Sequence, residues 1–442
     1  MLNFSKQAKR AIDLILNTTE NVFVTGKAGT GKSTLLEHIR LTAERRIIVL
    51  APTGISAVNV NGETIHSFFT LKPGFEKDEA MHMVMNKKKQ DKFRRLKTIA
   101  IDEISMVRAD LLDAIDIVLK RSRKNEKPFG GVQMVFFGDL YQLPPVITSS
   151  DSQKFYSEYE SPYFFDATIF RGQSNMFSEG FKIRLIELNE IYRQKDLEFI
   201  ELLNAVRDNS ITFDQIKQLN ARYQPNFVPT DDEKYIHLMT TNLSANEINE
   251  KKLKQINEDE RIFVADKTGT LAKNLFPNDL AVTLRAGAQI MFICNDAERR
   301  WVNGTIGKIL EIFDRTNPET GNIDAVVKIE KVDGKIVEVR KHTWEISKYV
   351  YVGGEFVRKN LGTFKQIPIK LAWAITIHKS QGKTFDKVII DLGHGSFAHG
   401  QTYVALSRCS SFDGLVLKRP LRKSDIIMDN RVHSFASASE IS

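Results

Sequence analysis

The chain has 442 residues and a formal net charge of +8, with 42% apolar and 27% charged side chains. That length excludes a single ordinary domain, the mixed composition excludes wholesale disorder, and the lack of any apolar run near 20 residues excludes a membrane span of helical type. Lys plus Arg exceed Asp plus Glu by 63 to 55, which favours a polyanionic partner, while Cys294 and Cys409 stand apart from any Cys/His cluster and give no support to a disulfide framework or a zinc site.

In chain order, short β-branched runs at 21–25, 46–51, 97–102 and 133–138 alternate with helical patterns at 33–45 and 110–123. Such alternation predicts a parallel sheet with helices on both faces. Between 75 and 95 the pattern breaks into a charged segment with Lys87, Lys88 and Lys89, read as an insertion with a solvated helix face. A second alternating region is expected from about 182, with a strand at 235–240 and a helix at 244–256. Residues 301–364 read as short alternating strands, with Asp333-Gly334 and Gly353-Gly354 as hairpin signals, so a small inserted β-barrel is expected there. Strand patterns return at 367–374 and 387–391, and 434–442 reads as a frayed tail.

The first run ends in Gly26, Lys27, Ala28, Gly29, Thr30, Gly31, Lys32 and Ser33, a phosphate-binding loop placed after a strand and before a helix. Its glycines let backbone amides wrap phosphates, and the helix N-terminus, with Thr34 in its first turn, adds its positive end. Lys32 is expected to neutralise the β- and γ-phosphates of ATP, and Ser33 to offer a hydroxyl to Mg²⁺. The third run ends in Asp102 and Glu103; Asp102 is assigned to the magnesium shell and Glu103 to orienting or deprotonating the attacking water.

After the fourth run, Gly138 to Val146 (GDLYQLPPV) resembles motif III of superfamily 1B helicases, and the stretch from Asp110 through Gln133 resembles the signature of the Pif-one family within that RecD-like group. Matches continue in the family's order: Gln7 in an opening Q motif; Ala51 to Gly54 with Thr64 to Phe68 in motif Ia; Leu188 to Gln194 in motif IV; Ala374 to Gly382 in motif V; Tyr403 to Arg408 in motif VI. The resemblance implies two RecA-like parallel-sheet domains, 1A (1–70 and 96–181) and 2A (182–300 and 365–433), a small inserted wedge at 71–95 and an inserted SH3-like β-barrel at 301–364.

It further implies that Gln7 reads adenine, that Gln142 senses the γ-phosphate, that Arg193 and Arg408 are arginine fingers, and that Gly382 approaches the phosphate from the second domain. Thr53, Gly54, His66, Ser67, Thr240, Thr241, Asn242, His378 and Lys379 are implied to lie along single-stranded DNA. The expected activity is ATP-dependent 5′-to-3′ translocation by a cytoplasmic monomer of bacterial type, splitting duplex or forked DNA and acting on G-quadruplexes or RNA–DNA hybrids. No transit peptide or accessory domain is expected. A nucleotide-gated nucleic-acid-binding ATPase that never translocates stays open as an alternative, as do a nuclease carrying a motor and RNA-directed unwinding.

Overall fold

The computed structural model describes residues 4–43, 47–72, 76–171, 181–192, 194, 196–230, 232–316, 321, 323–352 and 355–439. The chain divides into two units: residues 1–192, 347–360 and 429–442 form the first, and residues 193–346 and 361–428 the second.

The first unit is built on a six-stranded sheet of β1 (Val22–Gly26), β2 (Ile47–Ala51), β3 (Glu63–Thr64), β4 (Thr98–Ile101), β5 (Gln133–Phe137) and β6 (Arg184–Leu188), in the order β3-β2-β4-β5-β1-β6. Every neighbouring pair is parallel. Successive residues feed opposite cores: Phe23, Ile48, Ile99 and Phe136 join one apolar cluster, while Val22, Val49, Ala100 and Val135 join the other. Burial on both faces explains why these strands are continuously apolar rather than alternating. Helices α1 (Lys6–Asn17) and α2 (Lys32–Thr42) cover the second face through Ala11, Ile15, Leu36 and Ile39.

Along the chain follow α3 (Gly54–Asn59), α4 (Ile65–Phe69), α5 (Glu76–His82), α6 (Lys87–Arg94), α7 (Ala109–Arg123) and α8 (Ser149–Tyr156). Asp110 in the first turn of α7 and Lys120, Arg121 and Arg123 in its last complement the helix dipole. The acidic residues that mark this stretch in the sequence turn inward: buried Asp113 accepts from the Tyr159 hydroxyl at 2.7 Å and from the Thr168 amide and hydroxyl at 3.1 and 2.7 Å, and Asp116 accepts from the Phe129 amide at 2.6 Å. A buried carboxylate is tolerated when its lone pairs are filled in this way, so the signature reads as a set of staples holding the sheet's covering layer.

The second unit contains α9 (Leu197–Arg207), α10 (Phe213–Asn220), β7 (Ile236–Met239) and α11 (Asn242–Lys254), then β8 (Arg261–Val264), β9 (Asp266–Lys267), β10 (Ala281–Leu284), β11 (Gln289–Phe292), β12 (Ile306–Thr316), β13 (Ile323–Lys331) and β14 (Ile336–Val339). After these come β15 (His342–Val352) and β16 (Glu355–Gln366), each shared with the first unit through residues 347–360, then β17 (Ile369–Leu371), β18 (Ala374–Thr376), β19 (Val388–Asp391), α12 (Gln401–Leu406) and β20 (Leu415–Leu417). A parallel sheet runs β18-β7-β19-β20, and a separate five-stranded antiparallel sheet runs β14-β13-β12-β11-β17. Trp301 stacks on Phe292 with centroids 4.5 Å apart, inside an apolar cluster that includes Ile290, Val327 and Ile369.

Four sequence expectations change. The strand Arg184–Leu188, placed at the start of the second region, pairs with β1 from Val22↔Arg184 to Gly26↔Leu188 and belongs to the first unit. The antiparallel sheet extends past 301–364 at both ends, because β11 and β17 complete it, while residues 347–360 belong to the first unit. Residues 434–439, read as tail, continue a helix from Asn430; Val432 is fully buried and the Phe435 ring stacks on Phe165 at 4.6 Å. The charged 75–95 segment is not wholly solvated, since Ala80, Met83 and Phe93 are buried and Lys92 reaches inward to the Phe68 carbonyl at 2.7 Å.

Candidate nucleotide and nucleic-acid sites

Parallel strands deliver all their carboxyl ends to one edge, where open α/β sheets bind ligands. The first sheet's order therefore divides that edge: β4, β5 and β1 bring Asp102, Asp139 and the glycine-rich loop side by side, while β2 and β3 bring Thr53 and His66.

The loop has the backbone its sequence requires. Gly26 has φ +148°, Gly29 +85° and Gly31 +82°, and a Cβ on Gly26 would meet the Leu188 carbonyl oxygen at 2.6 Å. Thr30 and Ala28 are buried, and the Thr30 hydroxyl donates to the Lys27 carbonyl at 3.0 Å. Lys32 opens α2, and its ammonium donates to the carbonyls of Gly26 at 2.7 Å and Lys27 at 3.0 Å. Ser33 and Thr34 are exposed in the first turn of α2, and Gln7 lies half-buried in α1.

Asp102 is 6% exposed, so it is no solvated turn residue. Burial, with the neighbouring Glu103 carboxylate adding to it, pushes its carboxyl up to about 7. Glu103 takes φ 49°, ψ 47°, left-handed backbone that strains a non-glycine residue. Gly138 is needed directly opposite: a Cβ there would lie 2.8 Å from Ile104 Cγ2 and 3.1 Å from the Ile104 nitrogen. Beyond it the buried pair Asp139 and Gln142 is joined through Gln142 Nε2 to Asp139 Oδ2 at 3.2 Å. A desolvated carboxylate and an exposed residue with a hydroxyl at the head of α2 suit a divalent ion with few protein ligands. Among the described residues no group of three or more His, Cys, Asp or Glu side chains gathers to hold a metal by itself.

At the outer half of the edge, Thr53 caps α3, accepting from the Ser56 amide at 3.1 Å, with Gly54 as the first helical residue. Thr64 caps α4 by accepting from the Ser67 amide at 3.2 Å, which presents half-buried His66 and Ser67 on the following turn. The second unit repeats the device. Thr241 caps α11 through the Ser244 amide at 3.2 Å, with Thr240 before it and exposed Asn242 after it. The neighbouring strand β18 ends at Thr376, which pairs with Met239, and leads to half-buried His378 and exposed Lys379. Burial lowers the affinity of both side chains for protons.

Arg408 is 1% exposed, which removes a plain surface role. Its guanidinium donates to the carbonyls of Val404 at 2.9 Å and Lys383 at 3.2 Å and to the Ser407 hydroxyl at 2.8 Å, tying motif VI to the loop that carries Gly382. Gly382 has φ +77° with open space where a Cβ would stand. In the same loop, burial and the nearby Arg408 push Lys383 down to about 8. Arg193 lies outside the described residues.

Two residues gained no role from the sequence. Tyr192 donates its amide to the Gly29 carbonyl at 2.9 Å and its hydroxyl to Glu190 at 2.6 Å, leaving an exposed ring beside Gly31. Gln194 is buried and donates to the carbonyls of Ser407 at 3.1 Å and Cys409 at 3.2 Å, joining motif IV to motif VI. Their place inside a quoted motif was the only available signal.

Residues 3–217 match the family model for PIF1-like helicase. The chain is 34% identical to the ATP-dependent DNA helicase Pif1 of Psychrobacter sp., covering 93% of this chain and 67% of that protein, and 31% identical to the Pif1 of Bdellovibrio bacteriovorus, covering 98% and 92%. The chain belongs to the PIF1-like helicase family. Its fold matches that of Bacteroides sp Pif1 in complex with ADP-AlF4 at a TM-score of 0.88, with 34% identity over 100% of this chain and 98% of that one; a Bacteroides Pif1 bound to ssDNA matches at 0.67, with 34% identity over 99% of this chain and 97% of that one. Among the described residues of this family member, no helix is long and apolar enough to cross a membrane.

Proposed function

We propose that this PIF1-like helicase hydrolyses ATP to move along single-stranded DNA and to separate duplex or forked DNA ahead of it. The observation that carries this reading is the partition of the first sheet's edge: a phosphate loop, a buried acid and Gln142 at β1, β4 and β5, and capped helix starts at β2 and β3. Helix starts suit phosphate because the dipole's positive end lies there, and contacts to the phosphate backbone carry little sequence information.

In this reading Lys32 and the amides of 26–34 bind the triphosphate, Gln7 reads the base, and Ser33 and Asp102 hold Mg²⁺. The ion would supply positive charge to the β- and γ-phosphate oxygens. Glu103 orients the attacking water, Gln142 senses the γ-phosphate, and Arg193, Arg408 and Gly382 act on the transferring group. The two cations crowded at Lys383 and Arg408 form a loop that an anion would relieve. Thr53, Gly54, His66, Ser67, Thr240, Thr241, Asn242, His378 and Lys379 grip DNA. The antiparallel sheet β14-β13-β12-β11-β17 serves as the SH3-like barrel, 71–95 as the wedge, and the two parallel sheets as the RecA-like cores 1A and 2A.

Unwinding of matched duplexes bearing a 5′ or a 3′ single-stranded tail tests the assignment. Strand separation is expected only with ATP and Mg²⁺ and only from the 5′ tail. A protein that binds both tails and separates neither is a switch, not a motor.

A further inference from the structure

The α4 turn that presents His66 and Ser67 is held by more than its own strand. Glu63, in β3, is 5% exposed, and its carboxylate does two things: Oε1 accepts from the Ser67 hydroxyl at 2.6 Å, and Oε2 accepts from the backbone amide of Tyr349 at 2.7 Å. Tyr349 lies in the 347–360 segment of the first unit, and its ring meets Phe68 edge-on with centroids 6.1 Å apart. Lys92 of α6 also donates to the Phe68 carbonyl at 2.7 Å and sits 3.7 Å above the Phe68 ring. The same turn is thus grasped by two segments distant in sequence.

Capping alone does not call for an acid at 63, because Thr64 already caps α4. Burying a carboxylate is unfavourable, and burial does raise the Glu63 carboxyl despite the hydrogen bonds from Ser67 and Tyr349. What the acid adds is a second acceptor oxygen, so that Ser67 and Tyr349 each have one of their own, where an amide or a hydroxyl has a single oxygen to share. We propose that Glu63 is a positioning residue for single-stranded DNA, coupling the 347–360 segment to the turn that carries His66 and Ser67, so that this segment tunes the grip on the strand. The inference rests on the DNA contacts assigned to His66 and Ser67 under Proposed function. Coupling of this kind is reciprocal: if the segment helps the turn to bind DNA, DNA must in turn hold the segment more firmly.

The test uses the full chain, an oligo(dT) probe and the Glu63→Gln variant, which keeps the shape but removes the charge and one of the two acceptor oxygens. Oligo(dT) affinity is expected to fall about tenfold, the scale of one lost charge-assisted hydrogen bond, while the ATPase rate at saturating oligo(dT) stays within about twofold of wild type. In wild type, oligo(dT) should slow hydrogen exchange at the Tyr349 amide, and in Glu63→Gln it should not. Unchanged affinity in the variant, or exchange at Tyr349 that ignores DNA in wild type, overturns the proposal; the wild-type arm decides even if the variant folds poorly. Failure of wild type to bind oligo(dT) at all instead removes the DNA assignment, and this inference with it.

Discussion

Replacing Lys32 with alanine is expected to abolish ATP turnover, by roughly 10³-fold or more, the scale on which removing a charge aimed at a transferring phosphoryl group acts. Lys32 stands at the head of α2 with its ammonium on the Gly26 and Lys27 carbonyls, where the loop itself holds it until phosphate oxygens compete. The side chain has no packing task that alanine would spoil, since Leu35, Leu36 and Ile39 carry the helix's burial. The variant should therefore keep its melting temperature while phosphate release falls to background. Turnover within tenfold of wild type would remove the phosphate-loop assignment.

Glu103→Gln carries the second largest expected effect. The substitution keeps shape and hydrogen-bonding reach but cannot take a proton, so turnover should fall roughly 10² to 10⁴-fold while ATP and DNA still bind. Glu103 holds left-handed backbone at the end of β4, with Asp102 buried beside it. Strain of this kind persists where the surrounding structure fixes it, here through the close approach of Gly138 to Ile104. Equilibrium binding of ATP and oligo(dT) beside single-turnover hydrolysis would separate the outcomes. Unimpaired hydrolysis in Glu103→Gln would show that another group handles the water.

The glycine-rich loop after β1, the acid at the end of β4 and the turn after β5 were legible as structural elements because each is local: a glycine pattern, a strand end, a motif that follows a strand. What joins the pieces is not local. The β6 run looks the same whichever sheet it enters, and only its register with β1 assigns it. Lys92 sits in a charge run that reads as solvated, yet the neighbouring Phe68 ring and carbonyl draw it inward. Among its described side chains the terminal helix offers Val432 and Phe435 as apolar anchors, too few to show a helical period against a polar background. Motif VI marks Arg408 as a finger and says nothing of its surroundings; its burial among carbonyls follows from the fold of the Ser380 to Lys383 loop, which no short pattern encodes. The Glu63 to Tyr349 hydrogen bond spans 286 positions and leaves no trace in either neighbourhood.

Nucleic acid is held to govern how fast this protein consumes ATP. Steady-state ATP hydrolysis by the purified chain, measured with Mg²⁺ in the presence and absence of oligo(dT), tests that claim most directly. The account predicts a rise of roughly tenfold or more on adding oligo(dT), within the range that completing an arginine-assisted phosphoryl-transfer site can supply. Equal rates with and without the strand would contradict it.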